Sequence, residues 1–460
     1  MGEQSDVHDI RQKLLDCQLL VLINNQHSHT RSVEQIFLDI NEKAQLLEEE
    51  DIFKGHCFEN YAENYHKDLR DTWIQLKKCG IGFRKFGYEN LSQYIYLFLL
   101  EHVDSEMPIT LTLNGKHYLD GRTMDETKKL LTDMIEYGEA VIDFYKKIDH
   151  NDYRFCDLCQ NSYEYRNTND HELLKIMCKE MLENAKAQYQ KLPLMYFIYY
   201  LKTKEGANSA IEHVVFRKVI TNLYIYTSLF IISGVKKSKK AIDHTFYETL
   251  SGENFSMTDV VEVSQVLRKE KVGAFEFRVN YKYDDLAFIY SVIDHYLANS
   301  NWLKFKYTQE KEYNIEHFII PDNARRRIRW VAVDNEFDYF LPATIPSQLK
   351  KNSLNYLVLN KDLNEAVENK DIITKIATIK EWYGVPDRIL PKHISVIISN
   401  IESLEEYQEL ENLKAVQAEM EDIIETYERF IRVYFSDDNQ QKLCEILKRE
   451  FVKAFSNVRP

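Results

Sequence analysis

Glycine and proline are scarce in this chain, at 13 and 8 of 460 residues. These two residues punctuate turns and break helices, so the sequence favours long uninterrupted elements. Apolar residues recur at helical spacing over 7–25, 32–50, 57–79, 88–103 and 124–149. The same spacing returns over 171–190, 192–203, 207–235, 239–250, 256–270 and 283–298. Asp170 and Ser256 stand where helix starts are expected. Ile109–Leu113 followed by Asn114-Gly115 predicts a small hairpin. The expectation is a mainly α protein with a large helical domain over 1–300.

The texture changes near Asn299. Five of the eight prolines follow it closely (Pro321, Pro342, Pro346, Pro386 and Pro391), with short β-type runs at Trp330–Val333 and Tyr356–Leu359. This predicts a compact α/β module over 301–395. Beyond it, 402–434 and 438–456 read as an antiparallel helical hairpin within 396–460, turning at Ser436-Asp437-Asp438.

The net charge is −14, which argues against a protein that grips a polyanion over its whole surface. Residues 301–380 differ, carrying 13 Lys+Arg against 11 Asp+Glu, a net of +2 that leaves −16 on the remaining 380 residues. Nucleic-acid contact should therefore be local, with the acidic remainder favouring solubility. The seven cysteines and the polar, acidic start, with no secretory signal visible, fit the reducing cytoplasm. Val219–Val235 is the one membrane-like stretch. It is broken by Thr221, Asn222, Thr227 and Ser228, and reads as a buried core helix rather than a span. Cys156-Asp157-Leu158-Cys159 has zinc-ligand spacing, but only His171 and Cys178 lie near as further donors, so plain thiols are the simpler reading. The tyrosine-rich run 196–200 could stack on bases; a helical core is the simpler use.

The residues that suggest chemistry are Glu316-His317 with Pro321, the basic run Arg325-Arg326-Arg327-Ile328-Arg329, and Asn355, Asn360 and Asn364 around a short strand and the start of a helix. Hydrolysis of a phosphodiester needs an activated water, a stabilised phosphate and help for the leaving oxygen. A neutral His can take the water's proton, and one divalent ion can polarise the phosphate. Oxygen ligands from Glu and Asn suit Mg²⁺ or Mn²⁺ better than Zn²⁺. A second-strand Asn can fix the tautomer of the His. Lys375, eleven residues after Asn364 and on nearly the same helical face, is either a solvated lysine or a point charge for phosphate. Taken singly, each has a plainer use: Glu316-His317 as a surface or core pair, Asn355 as a turn residue, Asn364 as a helix cap, and the arginines as a charged loop.

Together these residues resemble the HNH, or ββα-metal (His-Me finger), nucleases, and most of all the nuclease half of GmrSD-like, modification-dependent (type IV) restriction proteins. That pattern has Glu-His followed by Pro, an Asn before a strand, a Leu-Asn opening a helix and a later Lys. Here these are Glu316-His317 and Pro321, Asn355 before Tyr356–Leu359, Leu363-Asn364, and Lys375. Three residues separate His317 from Pro321, where the family more often has two. The resemblance implies a small ββα-metal module with His317 as general base, Glu316 and Asn364 as ligands of one Mg²⁺ or Mn²⁺, and Asn355 orienting His317. Asn360 is a lesser candidate, and Arg325, Arg326, Arg327 and Lys375 would contact nucleic acid. It also implies cleavage of DNA, with RNA chemically equivalent for such a reaction, in restriction of foreign or phage DNA. A weaker likeness runs upstream through Asp51-Ile52-Phe53-Lys54 and Trp73 to about 298. The chain has neither an Asp-Gly-Gln-Gln-Arg signature nor a phosphate-binding Gly-x-x-x-x-Gly-Lys-Ser/Thr loop. A separate sensing or nucleotide-using partner is therefore expected, with no membrane involved. The alternative expectation is a catalytically degenerate helical adaptor in a defence complex.

Overall fold

The structure is a computed structural model describing residues 49–100, 118–149, 159–160, 169–184, 190–203, 211–233, 244–251, 256–298, 313–321, 327–331, 336–342, 345–386 and 388–456. It is mainly α, as the sparse helix breakers predict. The expected helices 7–25 and most of 32–50, and the hairpin at Ile109–Leu113, lie outside the described residues. The chain divides into two compact units, Met1–Asp143 and Phe144–Pro460. The segments 301–395 and 396–460 therefore belong to one unit with 144–300.

In the first unit the helices are α1 (Glu49–Glu59), α2 (His66–Phe83), α3 (Leu91–Leu100) and most of α4 (Met124–Asp149). The single helix expected over 57–79 is instead two. The chain breaks after Glu59, where the Asn60 amide donates to Leu119 O at 2.9 Å and Thr127 Oγ1 at 3.1 Å. A side chain committed to such bonds draws the backbone out of helical continuation. The core is aromatic, with Phe83 against Phe86, Tyr88, Tyr94 and Tyr137. Gly138 lets α4 approach α2 closely, because a Cβ there would fall 2.8 Å from Cys79 Cβ.

The second unit begins with β1 (Cys159–Gln160), α5 (Asn169–Glu183), α6 (Leu192–Thr203), β2 (Ile211–Glu212), α7 (His213–Ile232), α8 (His244–Ser251), α9 (Met257–Gly273) and α10 (Tyr283–Ala298). The segment Val215–Ile232 of α7 is long and apolar enough to cross a membrane, but 67% of it is buried inside the protein. Its polar residues are met by the protein: Asn222 donates to Ser264 Oγ at 2.9 Å and Thr227 to Gln190 O at 3.0 Å. It is a core helix. Tyr196 and Tyr199 are likewise buried core residues. Cys178 is buried; Cys156 lies outside the described residues.

There follow β3 (Tyr313–His317), β4 (Arg327–Val331), β5 (Glu336–Phe340), β6 (Tyr356–Asn360), α11 (Lys361–Val367), α12 (Ile372–Tyr383), α13 (Lys392–Glu402), α14 (Glu405–Ala415), α15 (Met420–Tyr434) and α16 (Asp437–Ser456). The helix expected over 402–434 is in fact α14 and α15 plus the end of α13. It is interrupted at Ser403-Leu404 and at Val416–Glu419, where Gln417 takes φ 52°. The expected hairpin of 402–434 with 438–456 is only partly realised. α15 turns into α16 at Phe435-Ser436, but α14 and α15 pack together while α16 lies chiefly along α10.

Three two-stranded sheets form, β1 parallel to β2, β3 antiparallel to β6 and β4 antiparallel to β5. Tyr356–Leu359 of β6 are all buried, which explains a run of apolar residues without alternation. The far side of β6 meets a side chain: Val358 N–H donates to His393 Nε2 at 3.3 Å. The other ring nitrogen, Nδ1, then donates to Asp294 Oδ2 at 2.7 Å, and His393 N–H donates to Asp294 Oδ1 at 3.0 Å. This fully buried pair fastens α10, α13 and β6 together. The β4–β5 hairpin joins the chain before α12 through Arg329 N–H to Asn369 O (2.6 Å) and Asp371 N–H to Arg329 O (2.9 Å). Asp371 also caps α12, accepting from Thr374 N–H at 3.0 Å.

Candidate functional site

Strand β3, strand β6 and helix α11 make a ββα unit in space, although 38 residues separate β3 from β6 in sequence. The register sets His317 opposite Tyr356 and Glu316 opposite Leu357. Helix α11 follows β6 without a gap and packs on β3. Asn360 supplies the turn between them, its side chain accepting from Asp362 N–H at 3.0 Å as the helix cap. Its role here is structural.

Adjacent strand residues point to opposite faces, and Glu316 and His317 do. Glu316 turns towards α12, where its carboxylate accepts from the ammonium of Lys375. That ammonium also donates to His317 O at 3.0 Å. The pair is deeply placed, with side-chain exposures of 3% for Lys375 and 10% for Glu316. Lys375 is thus neither a solvated lysine nor held out for a phosphate, because burial has matched it with a carboxylate. Eleven residues of helix return it to the face of Asn364, as the spacing predicts; the residue it meets on β3 is not legible from that spacing.

His317, half-buried at the end of β3, turns towards α10. Its Nε2 lies 3.3 Å from Tyr283 Oη, and the Tyr356 ring packs edge-on against the imidazole at 4.9 Å. Tyr356 Oη in turn donates to Tyr283 Oη at 3.4 Å. Tyr283 is absent from the motif, and only the fold, with α10 beside β3, reveals it.

The expectation that Asn355 orients the His317 ring is not met. Asn355 is fully buried, and its amide is used by the turn after His317. Oδ1 accepts from Ile319 N–H at 2.9 Å and Ile320 N–H at 2.8 Å, while Nδ2 donates to Ile320 O at 2.9 Å and Lys350 O at 3.1 Å. Two acceptor and two donor positions exhaust an amide side chain, so none remains for the imidazole. Asn355 fixes the backbone that carries His317, helped by Phe318 N–H to Asn355 O at 2.7 Å and by Tyr427, which donates to Ile319 O at 3.2 Å. Replacing Asn355 by Asp keeps the shape but sets a carboxylate oxygen against two carbonyls. We expect a loss of about 1–3 kcal/mol, read from the midpoint of urea unfolding; an unchanged midpoint would contradict this role.

Asn364 lies on α11 beside the buried Leu363. Its Oδ1 is buried with no hydrogen-bond partner. Such an orphan acceptor costs about 1–3 kcal/mol unless something compensates it. A hard cation suits an amide oxygen of this kind, so Asn364 and Glu316 are the side chains fitted to hold one. Among the described residues no group of three His, Cys, Asp or Glu side chains gathers as a metal cluster; the expected set differs, relying on an amide oxygen and water.

Of the basic run, Arg325 and Arg326 lie outside the described residues. Arg327 pairs across the hairpin with Asp338 at 3.2 Å, and Arg329 reaches Glu336 and Asp338 at 3.9 Å. Exposed pairs of this kind are worth about 0–1 kcal/mol, weak enough for a phosphate to replace the partner. No family model, curated protein or solved structure matches this chain, so its chemistry has to be argued from these side chains.

Proposed function

We propose that this chain is a divalent-metal-dependent nuclease of the HNH type that hydrolyses DNA. The observation that carries the reading is the orphaned amide oxygen of Asn364, on a helix packed against the strand that ends in Glu316-His317. The half-buried imidazole of His317 and the locally basic balance of 301–380 support it.

In the reaction, His317 takes a proton from a water as that water's oxygen bonds to phosphorus. The bond from phosphorus to the leaving sugar oxygen breaks, and that oxygen takes a proton from solvent. Glu316 and Asn364 would hold one Mg²⁺ or Mn²⁺, which, when bound, polarises the phosphate and steadies the leaving oxygen. Lys375 fixes the carboxylate of Glu316, and Asn355 fixes the turn behind His317. Water attack makes no use of the 2′-OH, so the choice of DNA follows the resemblance. So do the role in restricting foreign or modified DNA in the cytoplasm, and the separate sensing or nucleotide-using partner.

One observation favours a second reading. The Glu316 carboxylate is already matched by the Lys375 ammonium, as suits a structural pair in a degenerate site within a helical adaptor. Titration of the full chain with Mn²⁺ separates the two. The nuclease reading expects a saturable site whose affinity falls at least about tenfold in Asn364→Ala, the scale on which removing groups around a metal already acts. Affinity unchanged by that substitution, and by Glu316→Ala, would favour the adaptor.

A further inference from the structure

We propose that Tyr283 sets the tautomer of His317, holding the ring proton on Nε2 so that Nδ1 is the nitrogen that acts as base. The inference about catalysis rests on the nuclease reading; the inference about the tautomer does not.

A phenol oxygen has one proton to give and two lone pairs to offer. At Tyr283 one lone pair receives the Tyr356 hydroxyl, at 3.4 Å. The second contact is His317 Nε2 at 3.3 Å. Two arrangements satisfy that contact. If Tyr283 donated to Nε2, its bond would be lost whenever the ring gained a proton there. If Nε2–H donates to Tyr283 Oη, the bond survives in both the neutral ring and the imidazolium, as a ring that accepts a proton during turnover requires. The second arrangement leaves the Tyr283 proton to point to solvent, and Tyr283 is 45% exposed. The rings hold the geometry: Tyr283 and Tyr356 meet edge-on at 4.9 Å and 75°, and Tyr283 and His317 at 6.1 Å and 83°. Tyr356 is itself buried and is paired directly with His317 across the sheet. The phenol thus takes the place that the sequence motif assigned to Asn355.

The test uses the full chain with ¹⁵N-labelled histidine, where two-bond proton–nitrogen spectra report which ring nitrogen is protonated. There are 14 histidines, and His317→Gln identifies the signal of His317. Wild type should show the Nε2–H form at neutral ring charge. Tyr283→Phe removes one oxygen from a part-exposed ring, and should lower the ratio of Nε2–H to Nδ1–H about three- to tenfold, the ratio that a net hydrogen bond sustains. In plasmid cleavage the same variant should lose kcat by a similar factor with KM unchanged. A His317 signal identical in wild type and Tyr283→Phe overturns the proposal whatever the activity. A shifted signal together with full cleavage by His317→Ala would sustain the tautomer assignment and remove the nuclease reading instead.

Discussion

Lys375→Ala should lower the stability of the second unit by about 3–5 kcal/mol, the range for breaking one partner out of a buried ion pair. The cause is what remains. Glu316 keeps a carboxylate at the packed junction of β3 and α12, and the carbonyl of His317 loses its donor at the same moment. A carboxylate without a counter-charge in such a place either stays desolvated or pulls water into the packing. The prediction has a companion that isolates the mechanism. Lys375→Met combined with Glu316→Leu removes both charges and keeps apolar volume, so it should recover most of the loss, as apolar replacement of whole buried pairs often does. Urea unfolding of the two variants measures both outcomes. A loss below about 1 kcal/mol for Lys375→Ala would mean that the pair behaves as an exposed one, and that Glu316 has ready access to water.

The extent to which the sequence disclosed this arrangement differs from residue to residue. The mainly helical character was legible because it rests on periodicity and on the shortage of glycine and proline. So was β6, whose unbroken apolar run Tyr356–Leu359 requires burial on both faces. The helix ends were less legible. Asn60 breaks the stretch expected as one helix through bonds to residues 59 and 67 positions away, and no local signal announces such partners. The motif led to the neighbourhood of the site but misassigned two of its members. Asn355 and Lys375 carry the right types for orienting an imidazole and meeting a phosphate. Their hydrogen-bond capacity is instead taken by a buried turn and a buried carboxylate. Burial decides such matters, because an enclosed polar group must be satisfied by whatever lies next to it. Tyr283 and the Asp294–His393 pair were invisible for the same reason. The latter residues stand 99 positions apart and meet only when α10 and α13 close behind β6.

His317→Ala should reduce metal-dependent DNA cleavage by about 10²–10⁴-fold, the usual contribution of a positioned general base. Folding should be spared. The imidazole is half-buried at a strand end, and the backbone there is held by Asn355 and Lys375 rather than by the ring. The loss should appear in kcat with little change in KM, since proton transfer belongs to the transition state and not to DNA binding. The most direct measurement is nicking of supercoiled plasmid by the purified full chain in Mn²⁺, with any partner it requires, compared with His317→Ala of equal thermal stability. The account predicts nicking by wild type that EDTA abolishes and that the variant lacks. Equal, EDTA-sensitive nicking by both proteins would contradict it.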